Sequence, residues 1–197
     1  MKMKACGFLL ILSFGVLISS ATAQLRASKN WREVEPETIT LLSRAKYKNT
    51  YAGNGRSSFS FRYGVRSEVA PEITLNDFEL QYGNISWNGD SDWFRVTLVT
   101  DDRSRIKDLG PLNWFEVVEV PFLPVSTEPR TGIRMPSKAE TVEESSDGQV
   151  TRVVEGHMYV LHAKDSRDEL YALFRVEKLV PSDEVTISWK LVPAPKR

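Results

Sequence analysis

The densest local set of groups able to do chemistry is Asn88-Gly89-Asp90-Ser91-Asp92. Oxygen-bearing side chains stand there at alternate positions in a glycine-containing stretch, a pattern that a hard cation such as Ca²⁺ accepts. Asp90 and Asp92 are the expected first ligands. Ca²⁺ takes about six to eight oxygens, and no glutamate follows at EF-hand spacing, so the others must come from elsewhere in the chain. The competing reading is a solvated turn between strands, which Asn, Gly, Asp and Ser favour in any case. Trp87 and Trp93 flank the same stretch. An indole beside a polar loop is a platform on which a sugar ring stacks, whereas in a sheet it adds apolar area to the core. Trp87, Trp93, Asp90 and Asp92 together make the candidate ligand and calcium site.

The remaining material for catalysis is thin. His157 and His162 are separated by an odd spacing, which on a strand sends their rings to opposite faces and prevents shared chelation of one metal. His162 shares its face with Met158 and Val160, the environment of a buried imidazole with satisfied hydrogen bonds. His157 follows Gly156 at a strand start and is expected to be exposed. A zinc site needs several nitrogen or sulfur ligands. No G-x-S-x-G elbow occurs. Gly53-Asn54-Gly55 lacks the Gly-Lys-Ser/Thr of a phosphate cradle and reads as a hairpin turn. Asp165, Asp168 and Glu169 form another polar turn, interrupted by Arg167. No catalytic residue and no cofactor is assigned on this basis.

Charge and export narrow the class of partner. The chain has 26 Lys+Arg against 26 Asp+Glu, without the basic surplus that displaces counterions from nucleic acid. A hydrophobic content of 41% belongs to a folded globular chain. Lys2 and Lys4 precede an apolar run at 7–18, and Ala21-Thr22-Ala23 offers the small residues a signal peptidase reads, placing cleavage before Gln24. The uncharged stretch 5–23 is about long enough to span a bilayer, but Ser13, Ser19, Ser20 and Thr22 dilute it. The one cysteine, Cys6, falls within the signal peptide, leaving a mature chain without disulfides. Small secreted eukaryotic domains are usually dense in disulfides, so the expectation is a bacterial protein, periplasmic or secreted, with no transmembrane segment after cleavage.

Any site must be held by elements that are mostly strands. Residues 24–32 read as a leader and 33–197 as one β-rich domain. Over 33–46 the positions Val34, Thr38, Leu41, Leu42 and Ala45 suggest one short helix, while Ile39-Thr40-Leu41 also fits a strand. Phe59, Phe61 and Tyr63 alternate with polar residues as in a half-buried strand. Strands are expected at 78–82, 93–100 and 113–120, with 101–105 a polar break. Residues 121–149 carry Pro121, Pro124, Pro129 and Pro136 and form a long excursion without a period. Strands at 149–154, 157–163, 170–180 and 185–192 form an antiparallel meander whose apolar face needs the 57–120 sheet as its partner. The expected fold is all-β, a two-sheet antiparallel sandwich or partly open barrel. The leading functional expectation is a non-enzymatic exported domain that binds a partner or contributes to envelope assembly. The alternative is a carbohydrate-binding module, calcium-assisted at Asp90 and Asp92. A hydrolase whose site is assembled only by the fold ranks third.

Overall fold

The computed structural model describes residues 30–46, 55–69, 78–83, 92–96, 104–124, 148–164 and 169–196. Among them the strands in chain order are β1 (Glu37–Leu42), β2 (Ser58–Ser60), β3 (Val65–Arg66), β4 (Leu80–Tyr82), β5 (Trp93–Val96), β6 (Arg105–Gly110), β7 (Val150–Arg152), β8 (Met158–Lys164), β9 (Glu169–Val180) and β10 (Glu184–Val192). They form two five-stranded sheets, ordered β1-β10-β9-β8-β6 and β3-β2-β4-β5-β7, with every pairing antiparallel. Helix is confined to 55–57 among the described residues. The all-β, two-sheet architecture read from the sequence is the one that forms.

The two inner faces meet in an aromatic core of Phe59, Phe61, Tyr82, Phe94, Tyr159, Phe174 and Trp189, filled out by Leu41, Leu80, Leu161, Val176, Val185 and Ile187. This is the layer two sheets must bury to hide their apolar sides. Backbone bonds also join the sheets at their margins, which gives the sandwich its partly closed character. Ile106 of β6 donates to the Gly148 carbonyl at 2.6 Å, next to a Val96–Gln149 bond of 2.9 Å within the second sheet. On the other margin Arg44 and Ala45 donate to Tyr82 and Gly83, at 3.1 and 2.7 Å. That crossing is tight. Gly83 has φ of 73°, and a Cβ built there would lie 2.8 Å from Ser43 Cα, so only glycine fits.

Four local expectations change. Residues 33–46 contain β1, not a helix: Val34 is 46% exposed, while Ile39 and Leu41 turn to the core at a spacing of two. The strand around Phe59 is buried on both faces, because Ser58 is also covered and accepts a 2.8 Å bond from Gln81 Nε2. Of the polar break expected at 101–105, residues 101–103 lie outside the described residues, and Arg105 already opens β6, an edge strand with a single residue in the main core, Ile106. Residues 113–120 are not a strand but a turn and an extended run over the outer face of the first sheet. In addition β7, expected in the C-terminal meander, pairs with β5 in the other sheet, placing Trp93 opposite Arg152.

One buried ion pair makes stability depend on pH. Glu79 and Arg62 are 4% and 8% exposed, with Arg62 Nε 3.9 Å from Glu79 Oε1. Burial pushes the Glu79 carboxyl up from 4.5 to about 7, against the opposing pull of the Arg62 guanidinium. Between those values the folded chain holds a proton that the unfolded chain releases. Stability is therefore highest below pH 4.5 with respect to this group and falls as pH rises towards about 7. Urea midpoints at several pH values should show that decline in the wild type and a flatter profile in Glu79→Gln. Parallel profiles for the two proteins would refute the assignment.

Candidate functional site

The sequence-predicted residues divide between the described and undescribed parts. Trp87 and Asp90 lie outside the described residues. Asp92 and Trp93 stand together at the start of β5, and both are buried, 9% and 2% exposed. Asp92 Oδ1 accepts from the Tyr82 hydroxyl at 2.6 Å and from the Ser182 backbone N–H at 2.7 Å. These bonds tie β4 and β5 to the β9–β10 turn. Among the described residues no group of three or more His, Cys, Asp or Glu gathers in a form able to hold a metal ion.

The histidines lie on opposite faces of β8 and its approach, as their spacing requires. His157 Nδ1 sits 2.9 Å from Asp108 Oδ2, and Asp108 Oδ1 also accepts from the Gly110 N–H at 2.7 Å. A carboxylate that orients an imidazole is one part of a nucleophile–base arrangement. Here that carboxylate also fastens the bulge between Asp108 and Gly110. His162 is 1% exposed and stacks on Tyr171 at a centroid distance of 4.0 Å. Its Nδ1 lies 2.7 Å from the Leu123 carbonyl and its Nε2 2.7 Å from Glu169 Oε1. The bond from Lys164 holds the Glu169 carboxyl below its ordinary range, so Glu169 presents an acceptor to the ring.

What His162 grips is the end of an unusual surface feature among the described residues. Residues 111–124 cross the outer face of the first sheet. Val117 and Leu123 pack with Met158, Val160, Tyr171, Leu173 and Val192, and Leu112, Trp114 and Val120 pack partly against that cluster. Phe115, Val118 and Phe122 point the other way, at 83%, 67% and 50% exposure. A run of large apolar side chains left in water marks an interaction site more often than a scatter of single ones does.

The strip is pinned at both ends. At its start, Asn113 N–H donates to Glu116 Oε2 at 2.6 Å, while Glu116 N–H donates back to the Asn113 carbonyl at 3.0 Å. This is one half of a capping box closing a single turn. Trp114 Nε1 donates to Ser188 Oγ at 3.0 Å, and that hydroxyl donates to Glu177 Oε1 at 2.5 Å. Glu177 is in turn bonded by Arg175, whose Nε donates to the Leu112 carbonyl at 3.3 Å. The register of β9 against β10 slips between Val176 and Lys178, which leaves Glu177 as the extra residue of a bulge. Bulges re-aim side chains in this way. Lys190 adds a cation 4.8 Å over the Trp114 ring and donates to the Trp31 carbonyl at 3.3 Å.

Sequence reading missed Phe115 and Val118 because it took 113–120 as a strand, and Phe122 because it placed it in the 121–149 excursion. The available signal was Asn113-x-x-Glu116 after Pro111, together with inward residues at 114, 117, 120 and 123, a spacing of three and not two. By architecture the chain is an all-β sandwich, and among the described residues this anchored apolar strip is its unusual exposed element. Comparison with protein-family models finds no match, and comparisons with curated proteins and with solved structures also find none.

Proposed function

We propose that the chain is a non-enzymatic, exported binding domain of a bacterial envelope or secretome, which engages a polypeptide partner through Phe115, Val118 and Phe122. The observation that carries this reading is the contrast along one short segment. Every third residue, at 114, 117, 120 and 123, packs on the first sheet and the segment is hydrogen-bonded at both ends, yet Phe115, Val118 and Phe122 are exposed. A segment already ordered before binding loses little further entropy when a partner arrives. Export rests on the basic, apolar and small-residue regions of 1–23. The β sandwich supplies the rigid support.

The test is photo-crosslinking in the cell of origin. A benzoylphenylalanine in place of Phe115 should give a discrete polypeptide adduct, with the same partner recovered from position 118 or 122. The same probe at Arg152, an exposed residue of β7 in the second sheet, should not. No adduct at 115, 118 and 122, or the same set of adducts at 152, would end this reading.

A further inference from the structure

The surroundings of the strip specify the chemistry of its partner. Residues 30–36 lie on the same outer face: Trp31 belongs to the cluster that seats Val117 and Leu123, and Lys190 reaches both Trp31 and Trp114. Residues 30–36 and 111–124 together contain Glu33, Glu35, Glu116 and Glu119, with Arg32 as their one basic residue. All four glutamates and Arg32 are exposed. Arg32 lies over the Trp31 ring, its guanidinium 5.2 Å from the centroid. Lys190 is 7% exposed beneath the segments, and Glu35 is the charge it feels most. Its cation is thus spent inside the support. What these two segments turn outward is apolar and anionic: Phe115, Val118, Phe122 and Val34, bordered by carboxylates, with Lys107 of β6 an exposed cation at their margin.

Such a surface repels anionic lipid headgroups, nucleic acid and acidic proteins, and favours a cationic partner that also brings apolar residues. We propose that the strip recognises a basic amphipathic polypeptide segment, in which lysine or arginine alternates with large apolar side chains. This inference rests on the reading of the strip as a binding surface and adds the class of partner. The apolar residues supply burial, and the carboxylates select sign and speed encounter. Screening then makes the association weaken as salt is raised.

The experiment uses the purified full chain and three labelled peptides followed by fluorescence anisotropy: alternating Leu/Lys, alternating Leu/Glu, and alternating Ser/Lys. The Leu/Lys peptide should bind at least about tenfold more tightly than either control, a difference of about 1.4 kcal/mol. Phe115→Ser with Val118→Ser should abolish that binding while leaving the melting curve in place. Glu116→Gln with Glu119→Gln, which keeps an acceptor for the Asn113 N–H, should weaken it several-fold and flatten its salt dependence. Equal binding of Leu/Glu and Leu/Lys, both lost in the Phe115/Val118 variant, would overturn the charge assignment and leave the binding surface standing. Leu/Lys binding that survives the Phe115/Val118 variant would overturn the assignment to this strip. No binding of any peptide would also overturn the inference, and crosslinking at position 115 would then decide separately whether the strip binds a polypeptide. Vesicles of phosphatidylglycerol and phosphatidylethanolamine form the last arm. Phe115-dependent sedimentation with them would assign the surface to lipid and overturn the polypeptide.

Discussion

Phe174→Ala should destabilise the chain by about 3–5 kcal/mol, the largest effect expected of any single truncation here. The side chain is fully buried at the middle of β9 and touches both layers. It stacks on Tyr159 of the neighbouring strand at 5.2 Å and meets Phe94 of the opposite sheet edge-on at 5.3 Å. A third contact, to Phe61 at 5.6 Å, reaches the end of β2. Removing the ring forfeits its transfer free energy and leaves a cavity that three other rings cannot close without shifting. Against a total stability of roughly 5–15 kcal/mol the loss approaches unfolding, and in a domain of this size the melting temperature should drop by roughly 10 °C or more. Phe115→Ala is the matched control, since that ring is 83% exposed and its loss should stay within about 0.5 kcal/mol. Thermal melts of the two variants check the pair. Equal losses would mean that Phe174 does not join the two sheets as described.

The contrast between Phe174 and Phe115 also shows where sequence reading succeeds and where it stops. The strands β8, β9 and β10 were legible because each sends one face to the main core along a period of two, as in Val185, Ile187 and Trp189, while the opposite face, with Ser188 and Lys190, is largely covered as well. Sheet membership was not legible. The strand β7 follows the others closely in the chain, and only its backbone bonds to β5 place it in the other layer. The edge strand β6 was hidden because an edge needs few apolar residues, and RIKDLG supplies Ile106 alone to the main core. Residues 113–120 misled in the opposite direction. Their β-branched and aromatic content suits a strand, but Pro111 and Pro121 bracket them and the Asn113–Glu116 turn opens them. The run follows a spacing of three over a surface that the meander had already built. The strip therefore became visible only once β8, β9 and β10 defined the face it crosses.

Asp92→Ala should rank next, at about 2–4 kcal/mol, because the buried Tyr82 hydroxyl and the Ser182 N–H lose their shared acceptor together. The Tyr82 hydroxyl and the Ser182 N–H both end on Asp92 Oδ1. Ser182 is the non-glycine residue with positive φ among those described, at 60°, in the turn Val180–Asp183. Pro181 holds the second position of that turn and Ser182 the third, where a type II turn needs positive φ and usually takes glycine. The Asp92 bond holds this backbone in place, and through it the long β9–β10 hairpin is fastened to the second sheet. Tyr82→Phe removes one donor without stranding the other, so it should lose only about 1–2 kcal/mol. Ser182→Gly relieves the backbone and keeps the N–H, so it should be neutral or stabilising by up to about 1 kcal/mol. Urea unfolding of the three variants, in Ca²⁺ and in chelator, separates this tether from cation binding. A tether gives the order Ala, then Phe, then Gly in both media. If Ca²⁺ instead raises wild-type stability, and Asp92→Ala loses only that increment, then the carboxylate serves a cation and the hairpin is held by its packing alone.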